Sequence, residues 1–199
     1  MNDHYYSETP ISLSKPEIYH SELRGVEFKM WTDHGVFSRG HTDTGSRELI
    51  LAMDVEGEKN ILDLGCGYGV IGIIAAKLNP DAHFILTDPN ERAVQLARRN
   101  LESNDVRNAE VRQGEGLTPV ADELFDVILT NPPIRTGNAL VFSLIADSAA
   151  HLVPGGRMYL VARTKQGAKT FAAEMGRHLS AVTQVGQGSG FRVYCGTKI

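Results

Sequence analysis

Residues 60–78 constrain the fold of this 199-residue chain more than any other stretch. Ile61-Leu62-Asp63-Leu64 is mostly apolar and runs directly into Gly65-Cys66-Gly67-Tyr68-Gly69, with three glycines at alternate positions. An apolar run that breaks into glycines reads as a buried strand turning into a loop. Residues 70–78 are then apolar on every side and stop at Asn79-Pro80, which suits a helix buried against a sheet. Gly65 and Gly67 lack side chains, so a ligand can approach their backbone closely. Strand, glycine turn and helix make a nucleotide-type site. The same pattern can also close an ordinary βα unit, and the rest of the chain bears on which it is.

From residue 60 onward the period is strand then helix. Strands are expected at 82–87, 108–113, 124–130 and 157–162. Helices are expected at 91–104, with Ala93, Val94, Ala97 and Leu101 on one face, and from Asn138 as cap to about 152, ended by Pro154-Gly155-Gly156. A further helix carries Ala168, Phe171, Ala172 and Met175 on one face. Two closing strands, 181–185 and 191–196, flank a glycine-rich turn too short for a crossover helix, so they must be antiparallel. Alternation of this kind predicts an α/β fold, a mostly parallel sheet covered on both faces. Ahead of it, residues 1–15 read as an extended arm. Residues 18–24 and 26–32 read as a hairpin around Arg24-Gly25, with Phe28 and Met30 on one face. Thr42 or Asp43 can cap a helix starting near Thr44. The division expected is an N-terminal arm, hairpin and helix over 1–56, packed on a main domain over 57–199 as one structural unit.

A formal net charge of −4, with acids and bases interspersed, announces no nucleic-acid binder, although a local patch could supply such contacts. The two cysteines, Cys66 and Cys195, lack metal-ligand spacing and are expected as free thiols in a reducing compartment. No signal peptide is seen and no apolar run is long enough to cross a bilayer. A cytoplasmic protein is expected, with no metal and no membrane partner. No feature fixes the oligomeric state, with a monomer favoured.

Dinucleotide enzymes use Gly-x-Gly-x-x-Gly, where a helix N-terminus meets a pyrophosphate. Here the spacing is Gly-x-Gly-x-Gly, preceded by Asp63, a carboxylate that would repel pyrophosphate and could help hold an ammonium group. A nicotinamide oxidoreductase is disfavoured on both counts. Asp-x-Gly-x-Gly-x-Gly instead resembles the cofactor loop of class I methyltransferases, which bind S-adenosyl-L-methionine. Asp88, after Thr87, can accept hydrogen bonds from two ribose hydroxyls, or can cap the helix that begins after Pro89; the two roles are compatible. Pro89 and Asn90 would then lie along the adenine. In Gln113-Gly114-Glu115-Gly116, Glu115 is a candidate for the adenine amino group, with a plain surface acid as the alternative.

The second signal is Asn131-Pro132-Pro133-Ile134, directly after an apolar strand. Two prolines end a strand and stiffen the chain beyond it. Such a turn can be purely structural, but strand carboxyl ends are where ligands bind in sheets of this kind. An exocyclic base amine is a poor nucleophile because its lone pair is delocalised into the ring. The Asn131 side-chain oxygen and the Pro132 carbonyl can each accept one of its N–H bonds, aim the lone pair and stabilise the charge that develops on nitrogen.

Together, Asp63-Leu64-Gly65-Cys66-Gly67-Tyr68-Gly69 and Asn131-Pro132-Pro133-Ile134 resemble the methyltransferase small domain family. That family includes the C-type ribosomal RNA guanine-N2 methyltransferases, which modify RNA of the small subunit. His4-Tyr5-Tyr6-Ser7, Leu23-Arg24-Gly25, Gly35-Val36-Phe37-Ser38 and Asp43-Thr44-Gly45-Ser46 resemble that family's N-terminal segment, so the likeness spans nearly the whole chain. It implies a Rossmann-like seven-stranded methyltransferase sheet with its last strand antiparallel. It also implies cofactor contacts from Asp63, Gly65, Asp88 and Asn131, and a 35–46 segment over the cofactor or substrate. Two departures stand out. The longer guanine enzymes carry an additional N-terminal domain not seen here, which implies different substrate recognition. Many Asn-Pro-Pro enzymes place Tyr or Phe after the prolines to stack on the base, where this chain has Ile134; Phe37 could supply that face or be a core residue.

The reading is an S-adenosylmethionine-dependent N-methyltransferase acting on a base amine of RNA, with guanine N2 of ribosomal RNA or of a small-subunit precursor foremost. Catalysis falls to Asn131, Pro132, Pro133 and Ile134. Asp63, Gly65, Cys66, Gly67, Tyr68, Gly69, Asp88, Pro89, Glu115 and Asn131 are the cofactor set. Phe37, Arg39 and Arg135 are the substrate set, the two arginines on phosphates or merely solvated. Adenine N6 and a protein glutamine side chain suit the same site. A non-catalytic cofactor-binding module is the remaining alternative, but it would have no need of Asn131.

Overall fold

The computed structural model of the chain describes residues 15–34, 36, 40–134 and 137–199. The expected N-terminal arm, including His4-Tyr5-Tyr6-Ser7, lies outside them, as do Gly35, Phe37, Ser38, Arg39 and Arg135.

Among the described residues, seven strands form one sheet. These are β3 (Asn60–Leu64), β4 (His83–Asp88), β5 (Ala109–Gln113), β6 (Phe125–Thr130), β7 (Leu152–Arg163), β8 (Ser180–Gly188) and β9 (Phe191–Thr197), in the order β5-β4-β3-β6-β7-β9-β8. All pairings are parallel except those of β9, which runs antiparallel to both neighbours. The strand order reverses at β3, between β4 and β6, and in open α/β sheets that switch point is where ligands bind.

Alternation along β3 and β6 divides the interior. Ile61, Val127 and Leu129 face one core with α1 (Thr44–Ala52), α2 (Val70–Leu78) and α3 (Glu91–Ser103). Leu62, Leu64 and Ile128 face the other, with α4 (Asn138–Ala150) and α5 (Ala168–His178). Each β-strand side chain alternates faces, so two apolar layers follow from one apolar run. As expected, Asp43 caps α1, its carboxylate accepting from Ser46 N at 3.0 Å.

β1 (Glu17–Leu23) and β2 (Val26–Thr32) form a separate hairpin, turned at Arg24 and Gly25 with φ of 54° and 74°. Positive φ at both turn residues is the geometry that suits a two-residue hairpin. Phe28 and Met30 are buried beneath it. The edge of β2 away from β1 is met by side chains. Lys77 donates to Glu27 O (3.0 Å). Asn104 brackets Lys29, accepting from its N–H (3.0 Å) and donating to its C=O (2.7 Å). Asn100 does the same for Trp31, at 2.7 and 3.0 Å.

Three expectations need correcting. β7 begins at Leu152, so Pro154-Gly155-Gly156 lies inside a strand rather than between elements. There the β6–β7 register shifts between Phe125 and Val127, and a Cβ on Gly156 would stand 2.9–3.2 Å from three backbone carbonyls. The Pro-Gly-Gly run is thus a bulge pressed against β6, the setting in which strands tolerate proline and need glycine. Asn138 is the first residue of α4 and not its cap; Gly137, at φ 108°, occupies that position. Finally, β8 extends to Gly188, leaving only Ser189-Gly190 as the turn to β9.

Candidate active site

The carboxyl ends of β3, β4 and β6 open on one pocket. Gly65, Gly67 and Gly69 hold φ of 73°, 58° and 92°, values that side-chain-bearing residues rarely adopt, and this lets the chain leave β3 and enter α2 within five residues. Gly65 N and Cys66 N both donate to Thr87 O at 2.9 Å, and Gly67 N donates to Asp88 Oδ2 at 2.9 Å. The loop is therefore fastened to the end of β4. Asp88 Oδ1 accepts from Asn90 N at 2.9 Å, while the side chain that caps α3 is Asn90, accepting from Ala93 N at 3.1 Å. The capping alternative weighed for Asp88 thus falls to its neighbour.

Of the sequence-derived set, Gly65, Cys66, Gly67, Tyr68, Asp88, Pro89, Glu115, Asn131, Pro132 and Pro133 line the pocket. Asp63, Gly69 and Ile134 stand behind the lining. Asp63 is fully buried, its Oδ2 accepting from Gly72 N at 2.8 Å in the first turn of α2. Gly69 is wedged where a Cβ would touch Ala97, Ile73 and Leu86 at 3.3 Å each. Ile134 packs on the α4–α5 core. Phe37, Arg39 and Arg135 lie outside the described residues. Ser46 also lines the wall, at the end of the 35–46 segment expected over the cofactor or substrate, and Thr87, Leu140 and Leu144 line it without having been foreseen. The two leucines come from α4, which starts just beyond the Asn-Pro-Pro turn, and that proximity was readable.

Burial pushes the Asp63 carboxyl up to about 7, aided by the nearby Asp88 charge and opposed by the Gly72 bond. Among the described residues its Oδ1 has no hydrogen-bond partner, and neither has the buried Thr87 hydroxyl on the pocket wall. Unpaired buried polar atoms are costly unless a ligand or water meets them. Burial likewise raises the Cys66 thiol well above its ordinary value, with Asp88 and Asp63 adding to the effect. It stays a neutral thiol, directed at Gly67 O.

Asn131 follows β6, whose last residue is tied to β3 by Thr130 Oγ1 donating to Leu64 O at 2.9 Å. Its Nδ2 donates to Asp43 Oδ2 and to Ser46 Oγ, both at 3.1 Å. The Pro132 carbonyl accepts from Ile134 N at 2.9 Å, which uses one of its two lone pairs. Tyr68, from the glycine loop, donates to His41 O at 3.2 Å and meets Tyr19 OH at 3.0 Å. Among the described residues no group of three or more His, Cys, Asp or Glu side chains could hold a metal ion, and no helix is long and apolar enough to cross a membrane.

Similarity to known proteins agrees with this geometry. The chain is 37% identical over its whole length, and the relative's whole length, to the uncharacterized protein YbxB of Bacillus subtilis. It is 33% identical to ribosomal RNA large subunit methyltransferase G of Klebsiella pneumoniae, over 79% of this chain and 44% of that protein. It therefore spans about half the length of the named methyltransferases it matches. Among solved structures, the T. thermophilus 16S rRNA N2 G1207 methyltransferase (RsmC), in complex with AdoMet and guanosine, superposes with a TM-score of 0.80 at 24% identity, over 94% of this chain and 51% of that one. The methyltransferase small domain matches residues 27–195, and the chain belongs to that family, whose methyl donor is S-adenosyl-L-methionine.

Proposed function

We propose that this protein transfers a methyl group from S-adenosyl-L-methionine to an exocyclic base amine of RNA, with guanine N2 of ribosomal RNA, or of a small-subunit precursor, as the acceptor. The observation that carries this reading is one pocket lined both by the glycine loop and by Asn131-Pro132-Pro133 from the adjacent strand. The ribosomal RNA methyltransferase names of the relatives support RNA as substrate, and the guanosine-bound neighbour supports guanine N2. Such a substrate implies a cytoplasmic enzyme.

The residues fit the donor. The Asp63 oxygen beneath the loop, without a partner among the described residues, suits its ammonium group, the Gly65 backbone leaves open space where a Cβ would meet nothing within 4 Å, and Asp88 stands at the end of β4 for ribose hydroxyls. Glu115 is assigned to the adenine amino group. When bound, S-adenosylmethionine supplies an electrophilic methyl on a sulfonium. Asn131 Oδ1 and the free lone pair of the Pro132 carbonyl accept the two N–H bonds of the amine, aim its lone pair and stabilise the positive charge that grows on nitrogen. The surplus proton leaves to solvent, so no strong base is required. Pro133 stiffens the turn, Ile134 supports it from the core, and Phe37, Arg39 and Arg135 are assigned to the RNA. Residues 1–56 act with 57–199 as one unit, because Asn131 is held from the first segment.

The test is methyl transfer from labelled cofactor to deproteinised ribosomal RNA, intact ribosomal subunits, DNA and protein fractions, followed by nucleoside analysis. N2-methylguanosine in ribosomal RNA is the expected product. Label confined to adenine N6 or to glutamine would replace this acceptor with another amine or amide.

A further inference from the structure

We infer that Asp43 and Ser46 are positioning residues that fix which end of the Asn131 amide faces the pocket. The inference rests on Asn131 being the acceptor for the substrate amine. A carboxamide has unlike ends: Oδ1 only accepts, and Nδ2 only donates. Both Nδ2 protons are taken, one by Asp43 Oδ2 and one by Ser46 Oγ, each at 3.1 Å. Turned over, the amide would set its oxygen against a carboxylate and strand two donors. Oδ1 is thereby committed to the other side. Among the described residues it has no hydrogen-bond partner, while Asn131 itself lines the pocket. An anion on the N–H side also polarises the amide and makes the far oxygen a better acceptor.

The clamp is itself held. Asp43 Oδ2 accepts from Ser46 N at 3.0 Å, so one oxygen caps α1 and grips Asn131 at once. His41 and Thr42 are fastened to the glycine loop and the hairpin, through Tyr68 OH to His41 O (3.2 Å) and Tyr19 OH to Thr42 Oγ1 (3.0 Å). Between Asp43 and Ser46, a Cβ on Gly45 would come within 3.0 Å of the Asp43 carboxylate and 2.9 Å of the Phe191 ring, so that position has no room for a side chain. Helix capping alone does not explain the arrangement, because the cap residue Asp43 need not reach Asn131, 88 residues away.

Asparagine caps a helix as well as aspartate does, so Asp43→Asn keeps the cap and removes the polarity of the clamp. The carboxamide introduced at position 43 can offer Asn131 a donor as readily as an acceptor, and the Asn131 amide is free to turn. With labelled S-adenosylmethionine and ribosomal RNA or subunits as acceptor, Asp43→Asn is expected to lower kcat about 10- to 100-fold while cofactor affinity and Tm stay near wild type. Ser46→Ala, which leaves the carboxylate in place, is expected to lower kcat about 2- to 10-fold and serves if Asp43→Asn is poorly folded. In an Asn131→Ala background, neither change should cost anything more, because each acts only through Asn131. Wild-type kcat in both single variants, or equal fold losses with and without Asn131, would overturn the inference. If Asn131→Ala itself turns over normally, the amine mechanism fails and takes the clamp with it. If Asn131→Ala is slow and both clamp variants are normal, the clamp alone fails.

Discussion

The two halves of the pocket are held by different means. On the half assigned to the cofactor, the glycine loop is pinned to the end of the neighbouring strand by backbone donors, Gly65 N and Cys66 N to Thr87 O and Gly67 N to Asp88, all within one βαβ unit. On the acceptor half, Asn131 is gripped by two side chains that precede it by 88 and 85 residues. The first half is a local property of adjacent strands. The second exists only when the N-terminal helix is docked. Damage to the first should appear in cofactor binding, and damage to the second in turnover.

The largest separation between the halves is expected from Asn131→Ala. It would remove the acceptor proposed for the amine, a loss that typically lowers turnover about 100- to 1,000-fold, while cofactor affinity measured by calorimetry should fall only modestly. A folded Asn131→Ala protein that methylates its substrate at near-normal rate would erase the acceptor half as described.

Asp88→Ala tests the other half. Hydrogen bonds to a charged group are worth about 1.5–3 kcal/mol each, so cofactor affinity should drop at least about tenfold. Some of the loss would come through the loop, since Asp88 also receives Gly67 N. Unchanged affinity in a folded variant would remove Asp88 from the site.

The cofactor half should also answer to pH. Asp63 is held near 7, well above its ordinary value of 3.8, so between those values the folded state keeps a proton that the unfolded state has lost. Stability of the ligand-free protein therefore falls as pH rises through that window, by up to about 1.4 kcal/mol per unit from this group, and flattens above about 7. Asp63→Asn can keep the Gly72 bond and should remove that slope. Denaturant melts of both proteins at about pH 5.5 and 8, on either side of the folded-state value, would show it, and parallel pH dependence would contradict the assignment.

The smallest effects belong to Arg39 and Arg135. If each meets a phosphate, Arg39→Ala and Arg135→Ala should each reduce the salt slope of RNA binding by about 1, with cofactor binding unaffected. Slopes that match wild type would leave both as solvated charges.

The contrast between the halves also explains what the amino-acid order discloses. The β3–glycine–α2 unit was legible because every determinant lies within a short span: an apolar run, alternate glycines, an apolar helix. Asn131-Pro132-Pro133 was legible for the same reason. Asp43 was legible as a cap, from its distance to the helix it starts, but its grip on Asn131 depends on how two remote segments pack. Pro154-Gly155-Gly156 misled because proline and glycines usually end an element, whereas here they let β7 press against β6. Asn100 was passed over as a polar helix residue. It continues the stripe of Ala93 and Ala97 at helical spacing and is wholly buried, so a signal was present: an asparagine on an apolar face has to pair with something.

That asparagine has a consequence beyond anchoring. A two-stranded ribbon has raw edges, and an unpaired row of N–H and C=O groups is an adhesive surface for any passing strand. Along β2 that row is occupied by Lys77, Asn104 and Asn100, which meet Glu27, Lys29 and Trp31 at every second residue. Side chains from two helices, Lys77 of α2 and Asn100 and Asn104 at the end of α3, thus imitate the missing third strand without supplying one. The hairpin gains a single permitted alignment, because sliding it by one residue would turn the matched groups away. It also gains a sealed flank against self-association.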